Sequence, residues 1–109
     1  MATKKVPKQI KKLVLGYTNR VEKEIRLPVG NVYVYGSHAK GTATKHSDID
    51  VCIISPTFRD PLKALQQLLG YRTADEAMAG IEPVGFSAKQ FKRGGILIDE
   101  IKRTGIQVR

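Results

Sequence analysis

The sequence contains few of the residues that cross-link a chain or hold zinc. Its 109 residues include one cysteine, Cys52, two histidines, His38 and His46, and no tryptophan. A single cysteine cannot close an internal disulfide, and one thiol with two imidazoles is a poor ligand set for zinc. The composition therefore argues against a disulfide-stabilised scaffold and against a zinc domain.

Long apolar runs are also missing from the chain. The longest, residues 51–54, falls far short of the ~20 residues that span a bilayer, and no apolar stretch follows the basic residues 1–8. We therefore expect no membrane span, no export signal and a cytoplasmic protein. With 41% hydrophobic and 27% charged residues, the chain should fold as one domain over residues 1–109.

Charge is abundant but unevenly distributed along the sequence. Residues 1–26 carry a net charge of +6 and residues 89–109 one of +4, whereas residues 27–88 net −1. Basic ends of this kind attract nucleotides, nucleic acid or an acidic partner protein. A solvated surface that only aids solubility explains the same charges equally well.

The spacing of apolar residues predicts an alternation of helices and strands. An amphipathic helix over residues 8–26 should end before Pro28, which cannot continue it. The elements predicted after it are a strand at 32–35, a strand at 48–54, helices at 61–69 and 73–79, a strand at 81–86, a helical turn at 87–91, a last helix ending near Gly105 and a short strand at 106–108. Residues 37–40, between the first two strands, permit a further short helix. This order predicts an α/β fold in which helices cover a small mixed β-sheet.

Two carboxylates stand at the start of the second predicted strand. Successive side chains of a strand point to opposite faces, so Asp48 and Asp50 share a face, with Cα atoms about 6.6 Å apart. Both carboxylates can therefore coordinate one hard cation or a pair of them, and oxygen-only ligands favour Mg²⁺ or Mn²⁺ over zinc. The alternative for a bare Asp-x-Asp is an exposed acidic edge with no ligand.

A possible phosphate-binding turn precedes the acid pair. The first predicted strand runs into Gly36 and Ser37, where glycine permits close backbone approach and serine offers a hydroxyl beside free N–H groups. The spacing of Gly36 and Gly41 matches a Walker-type phosphate loop, but Thr42 follows where that loop needs lysine. The chain is therefore not a Walker-type protein, but the turn can hold phosphate, and an anion site here would adjoin the cation site.

The stretch VYVYGSHAKGTATKHSDIDVCII resembles the nucleotidyltransferase superfamily that includes DNA polymerase beta. The hallmark of that superfamily is a strand, Gly-Ser, a spacer and Asp-hydrophobic-Asp. The chain is most similar to its short members, the minimal nucleotidyltransferases, and the similarity continues through IEPVGFSAKQF to IKRTGIQV. The resemblance covers nearly the whole chain and implies the polymerase-beta-like fold.

The resemblance also implies which residues bind the nucleotide. Gly36 and Ser37 match the turn that holds the nucleotide phosphates. Lys40 stands where many relatives have arginine, which keeps the charge but loses bidentate phosphate binding. Ser47 joins this predicted nucleotide site, although its residue type fits a turn-forming or exposed loop position equally well.

The same resemblance implies three metal ligands with catalytic roles, namely Asp48, Asp50 and Glu82. Two Mg²⁺ ions about 3.5–4 Å apart would activate the acceptor hydroxyl and stabilise the leaving pyrophosphate. Glu82 would act as a ligand or as the general base. A plain surface acid is the alternative for Glu82, because Pro83 places it at a strand start or an edge strand.

The likeness to minimal nucleotidyltransferases implies an antitoxin that transfers AMP from ATP to a tyrosine of a HEPN-type toxin partner. A chain this short has little left to form an acceptor-binding domain, so the acceptor hydroxyl should come from another molecule. Two alternatives stay open. The protein could neutralise its partner by contact alone, or it could transfer the nucleotide to RNA held by its basic ends.

Overall fold

A computed structural model describes residues 5–109, and its first element is the predicted amphipathic helix. Helix α1 spans Lys8–Glu24 and buries Val14, Tyr17 and Val21 completely. It ends two residues earlier than predicted, because Arg26 adopts a left-handed conformation (φ 52°) and reverses the chain ahead of Pro28. No helix in residues 5–109 has the length and apolar character needed to cross a bilayer.

The other elements match the predicted order and lie within about two residues of the predicted bounds. They are β1 (Val32–Tyr35), α2 (Ser37–Lys40), β2 (Ile49–Ile54), α3 (Pro61–Gly70), α4 (Ala74–Met78), β3 (Ile81–Phe86), α5 (Ala88–Arg93), α6 (Ile96–Thr104) and β4 (Ile106–Gln107). The strands form one sheet in the order β3-β2-β1-β4. Strand β1 is antiparallel to β2 and β4, while β2 and β3 are parallel, which confirms the predicted mixed sheet.

The sheet is covered by helices on both faces. Val51 and Ile53 of β2 point into a core shared with α1 and α3, whereas Cys52 and Ile54 point to the opposite face, where α6 packs. Because side chains alternate between faces along a strand, Asp50 lies on the same face as Cys52 and Ile54. Strand β2 is therefore buried on both faces, and the acids Asp48 and Asp50 lie at its N-terminal end.

Helices α3, α4 and α5 begin at side chains that accept hydrogen bonds from their first backbone N–H groups. Asp60 Oδ1 accepts a hydrogen bond from Leu62 N at 2.9 Å, and Thr73 and Glu76 form a reciprocal capping box at α4. Aspartate before a proline, and threonine three residues before glutamate, are both residue patterns that favour a helix start. Strand β3 lies at the sheet edge, the position in which a strand tolerates Pro83.

Helix α4 depends on a charged side chain for its attachment to the rest of the domain. Glu76 is 8% exposed, and its Oε1 accepts hydrogen bonds from Thr73 N and from the Arg20 guanidinium. We expect Glu76→Ala to lower the free energy of unfolding by about 2–3 kcal/mol, because it removes a helix cap and the more buried of the two carboxylates that pair with Arg20. Urea unfolding measures this difference.

The matched control for that substitution is Glu24→Ala. Glu24 also pairs with Arg20, at 3.1 Å, but its side chain is 49% exposed. Exposed pairs of this kind contribute little, so its loss should cost no more than about 0.5 kcal/mol. Equal unfolding midpoints for the two variants would contradict the role assigned to Glu76.

Candidate active site

The three predicted carboxylates lie at one end of the sheet, on one face. Asp48 immediately precedes β2, Asp50 is the second residue of β2, and Glu82 is the direct neighbour of Asp50 in the parallel pair with β3. Paired residues of neighbouring strands project to the same side. Asp48 and Glu82 are exposed and Asp50 is half-buried, so all three can be reached from solvent.

The negative charges of these three carboxylates repel one another when no cation is bound. Burial raises the pKa of Asp50, the negative charges of Asp48 and Glu82 raise it further, and His38 opposes the shift. A divalent cation removes such repulsion, and carboxylate oxygens suit a hard ion. The donor chemistry therefore fits Mg²⁺ or Mn²⁺. Within residues 5–109, however, no three His, Cys, Asp or Glu side chains converge closely enough to hold an ion as they stand.

The turn after β1 is packed directly against Asp50. Gly36 has φ 74° and ψ −150°, and a Cβ at this position would lie 2.2 Å from Asp50 Oδ2. Only glycine permits both this backbone conformation and this approach. Ser37 and His38 follow as the first residues of α2, whose leading N–H groups have no partner within the helix. The turn that is predicted to bind phosphate is thus in contact with the acid group through Gly36 and Asp50.

The structure places Lys40 and Ser47 near this end of the sheet, each with a partner. Lys40 Nζ lies 3.0 Å from Glu100 Oε1 of α6, and this hydrogen bond holds the pKa of Glu100 below its usual range. Ser47 Oγ accepts a hydrogen bond from Thr44 N at 2.8 Å, which closes the turn before Asp48. Their contacts with a nucleotide therefore stay predictions.

Two further residues of the site were not identified from sequence. Tyr35 lies directly opposite Asp50 in the antiparallel pair, and burial raises the pKa of its hydroxyl, helped by Asp50 and Glu82. His38 Nε2 is enclosed and has no hydrogen-bond partner within residues 5–109. The register of the strand pair could have indicated Tyr35, but no sequence pattern distinguishes His38 from an exposed loop histidine.

Gly80 is the third residue of the site that sequence reasoning missed. It has φ 90°, its carbonyl accepts a hydrogen bond from Ile49 N at 2.7 Å, and a Cβ here would lie 3.3 Å from both Cα and Oδ1 of Asp48. The backbone that joins α4 to β3 therefore packs against Asp48. It forms the side of the site that lies opposite the Gly36 turn.

A small mixed sheet with helices on both faces, a Gly-Ser turn after one strand and an acid pair on the next define the polymerase-beta-like class of nucleotidyltransferases. The family model described as "Nucleotidyltransferase domain" matches residues 18–104. The chain belongs to this family and is a minimal nucleotidyltransferase. Members of the family generally use divalent metal ions.

Two solved structures share the fold at low sequence identity. One is a candidate nucleotidyltransferase from Sulfolobus solfataricus, with a TM-score of 0.64 and 14% identity over 91% of this chain and 78% of that one. The other is a toxin–antitoxin structure with AMP-PNP, with a TM-score of 0.57 and 14% identity over 86% of this chain and 71% of that one. A search of curated proteins finds no significant match.

Proposed function

We propose that this nucleotidyltransferase transfers AMP from ATP to a tyrosine hydroxyl of a HEPN-type toxin partner and thereby acts as an antitoxin. The observation that best supports this proposal is the close approach of Gly36 to Asp50, because the turn that is predicted to bind phosphate then adjoins a carboxylate of the acid group. The structural likeness to a toxin–antitoxin structure with AMP-PNP supports both the adenine nucleotide and the protein partner.

The nucleotide would bind with its phosphates at the start of α2. The N–H groups of Ser37 and His38 and the Ser37 hydroxyl donate to phosphate oxygens, and Gly36 lets the phosphates approach the backbone. The side chains of Asp48 and Asp50, with Glu82, would hold Mg²⁺. When bound, this ion neutralises charge on the triphosphate and lowers the pKa of a coordinated hydroxyl.

In the reaction, the acceptor oxygen attacks the α-phosphorus of ATP. A bond forms from that oxygen to phosphorus, the bond from phosphorus to the bridging oxygen breaks, and pyrophosphate leaves with the electron pair. If Glu82 acts as the general base instead of as a ligand, it takes the proton of the acceptor hydroxyl, since it is the exposed carboxylate on the edge strand, beside Asp50. The products are a tyrosyl-AMP phosphodiester and pyrophosphate.

The first test is calorimetric titration of ATP, and then of the other nucleoside triphosphates, into the protein with and without Mg²⁺. We expect Mg²⁺-dependent binding of ATP that disappears in a variant with both Asp48→Ala and Asp50→Ala, because the variant lacks the acids that join metal to nucleotide. Binding by the folded double variant at the original affinity would contradict the site. Failure of every triphosphate to bind the original protein would favour neutralisation by contact.

A further inference from the structure

One polar atom of the candidate active site is enclosed without a hydrogen-bond partner. It is Nε2 of His38, and within residues 5–109 it is the only buried side-chain nitrogen or oxygen that lacks a partner. An enclosed polar atom without a partner opposes folding, so native proteins contain few of them. Those that persist are often the atoms that a ligand, an ion or a catalytic group uses. Packing therefore does not explain why this site contains His38.

Helix α2 places the imidazole of His38 beside Asp50. His38 is the second residue of α2, and the helix is capped by Gly36, whose backbone packs against the Asp50 carboxylate. The short helix packs against β1 and β2, with Ala39 buried. The imidazole lies close enough to Asp50 for its charge to oppose the rise in the pKa of that carboxyl. An unpartnered nitrogen and a half-buried carboxylate are therefore neighbours.

Asp50 also lacks a hydrogen-bond partner. Burial raises the pKa of Asp50 and neighbouring charges act on it further, but no hydrogen bond from residues 5–109 does. Glu100, by contrast, accepts a hydrogen bond from Lys40 that holds its pKa below the usual range. Oδ2 is the Asp50 atom nearest to the position that a Gly36 Cβ would take. Oδ2 is therefore the oxygen on the α2 side and the acceptor that a donor on α2 would use.

A hydrogen-bond donor behind a metal-binding carboxylate strengthens metal binding. When one oxygen coordinates a cation, a donor to the other oxygen fixes the orientation of the carboxylate, and loss of that donor typically weakens metal binding about 10- to 100-fold. Neutral imidazole has one N–H and one bare nitrogen, so His38 can donate from Nε2 only when the proton is on that nitrogen. A role behind Asp50 thus requires one particular tautomer.

We infer that His38 is a positioning residue for the metal site, in which its Nε2–H donates a hydrogen bond to Asp50 Oδ2 and leaves Oδ1 for the cation. This inference rests on the proposed function, because it takes Asp50 as a metal ligand. It concerns the orientation of that ligand and neither the nucleotide nor the acceptor. The backbone N–H of His38, at the start of α2, remains available for phosphate.

The tautomer and the hydrogen bond can be observed by NMR, because the chain contains only two histidines, His38 and His46. The protein is labelled with ¹⁵N-histidine and titrated with Mg²⁺, first alone and then with ATP, at about pH 8.5, where imidazole is neutral. We expect a protonated Nε2 in His38 whose signal shifts in a saturable manner and whose proton becomes protected from exchange with water. His46, an exposed residue, should show no such change.

Substitutions at His38 test the same contact through metal affinity. Electron paramagnetic resonance of free Mn²⁺ measures the affinity for Mn²⁺ without nucleotide, and calorimetry measures the affinity for ATP with Mg²⁺. His38→Leu removes the donor and should weaken both about 10- to 100-fold. His38→Gln, whose amide N–H reaches about as far as Nε2, should recover both to within about threefold. His46→Leu is the matched control and should leave both affinities unchanged.

Urea unfolding with a chelator separates positioning from packing. His38→Leu removes an enclosed nitrogen that has no partner, so the unfolding midpoint should not fall below that of the original protein. A lower midpoint, together with a loss of metal affinity that His38→Gln does not recover, would assign His38 to packing and overturn the inference.

The remaining outcomes separate the role of His38 from the proposed function. Saturable Mg²⁺ binding that leaves the His38 signal unmoved, or a His38 that carries its proton on Nδ1 when Mg²⁺ is bound, would overturn the role of His38 alone. Equal metal affinities of His38→Leu and the original protein would do the same. Failure of the original protein to bind either ion, with or without ATP, would overturn the proposed metal site and this inference with it.

Discussion

Asp50→Asn should lower nucleotidyl transfer at least about a thousandfold, or roughly 4 kcal/mol in activation free energy, because the amide removes a negative charge from the centre of the proposed metal site. Asp50 has Asp48 before it in sequence and Glu82 beside it on β3, so neither can replace it without moving. Release of pyrophosphate from ATP with Mg²⁺ and the acceptor measures the effect. Activity close to that of the original protein would refute the assignment.

The same substitution should raise the stability of the metal-free protein at neutral pH. The pKa of Asp50 is higher in the folded state than in the unfolded chain, so ionisation of this group opposes folding. This loss of stability is fully present at pH values above the pKa of Asp50 in the folded protein. It disappears as the pH falls below the pKa of Asp50 in the unfolded chain. Urea unfolding with a chelator should therefore show a gain for Asp50→Asn that shrinks on acidification.

Asp60→Asn provides the control for both measurements. Asp60 is an exposed cap of α3, and asparagine caps a helix about as well as aspartate. Neither transfer nor stability should change in this variant by more than experimental error. A loss of transfer that equals the loss in Asp50→Asn would show that the assay responds to removal of any carboxylate.

Gly36→Ala should destabilise the protein by about 3 kcal/mol or more and abolish binding of the triphosphate. The backbone conformation of Gly36 is one that residues with a Cβ reach only under strain, and the new methyl group would lie 2.2 Å from Asp50 Oδ2. The Asp50 side chain or the turn must then move. Urea unfolding and calorimetry measure the two effects.

Gly41→Ala separates backbone strain from collision with the carboxylate. Gly41 also has a positive φ, 79°, but a Cβ there would meet nothing within 4 Å. Gly41→Ala should therefore lower the free energy of unfolding by only about 1–2 kcal/mol. Adding Asp50→Ala to Gly36→Ala should recover about 1 kcal/mol or more, because it removes the collision and leaves the strain. Strict additivity of the two substitutions would show that Gly36 and Asp50 do not interact.

The sequence predicted the type and order of the elements because their signals are local. Asp60 ahead of Pro61, and Thr73 three residues before Glu76, mark helix starts that the structure contains. The end of α1 was missed by two residues, since the left-handed Arg26 has none of the glycine signal that usually marks such a turn. Element bounds depend on such single-residue conformations, which composition does not reveal.

Local geometry predicted only part of the site, and Glu82 was predicted from the family resemblance alone. Strand alternation alone put Asp48 and Asp50 on one face, whereas the position of Glu82 depends on the parallel pairing of β2 with β3. The contact of Gly80 with Asp48 and the pairing of Lys40 with Glu100 join segments that are 32 and 60 residues apart. Contacts of this kind arise from tertiary packing and have no signature in a single sequence.

The position of β4 at the far edge of the sheet has a consequence for synthesis of the protein. Tyr33 pairs with Gln107, so β1 emerges from the ribosome well before its second partner strand, by roughly 4 to 15 s at 5–20 residues per second. During that interval one edge of β1 is unpaired, and the Gly36 turn at its end is incompletely supported. A nascent chain that still lacks residues 106–107 should therefore be unable to bind a nucleotide firmly, and catalytic competence would begin only after this strand joins the sheet.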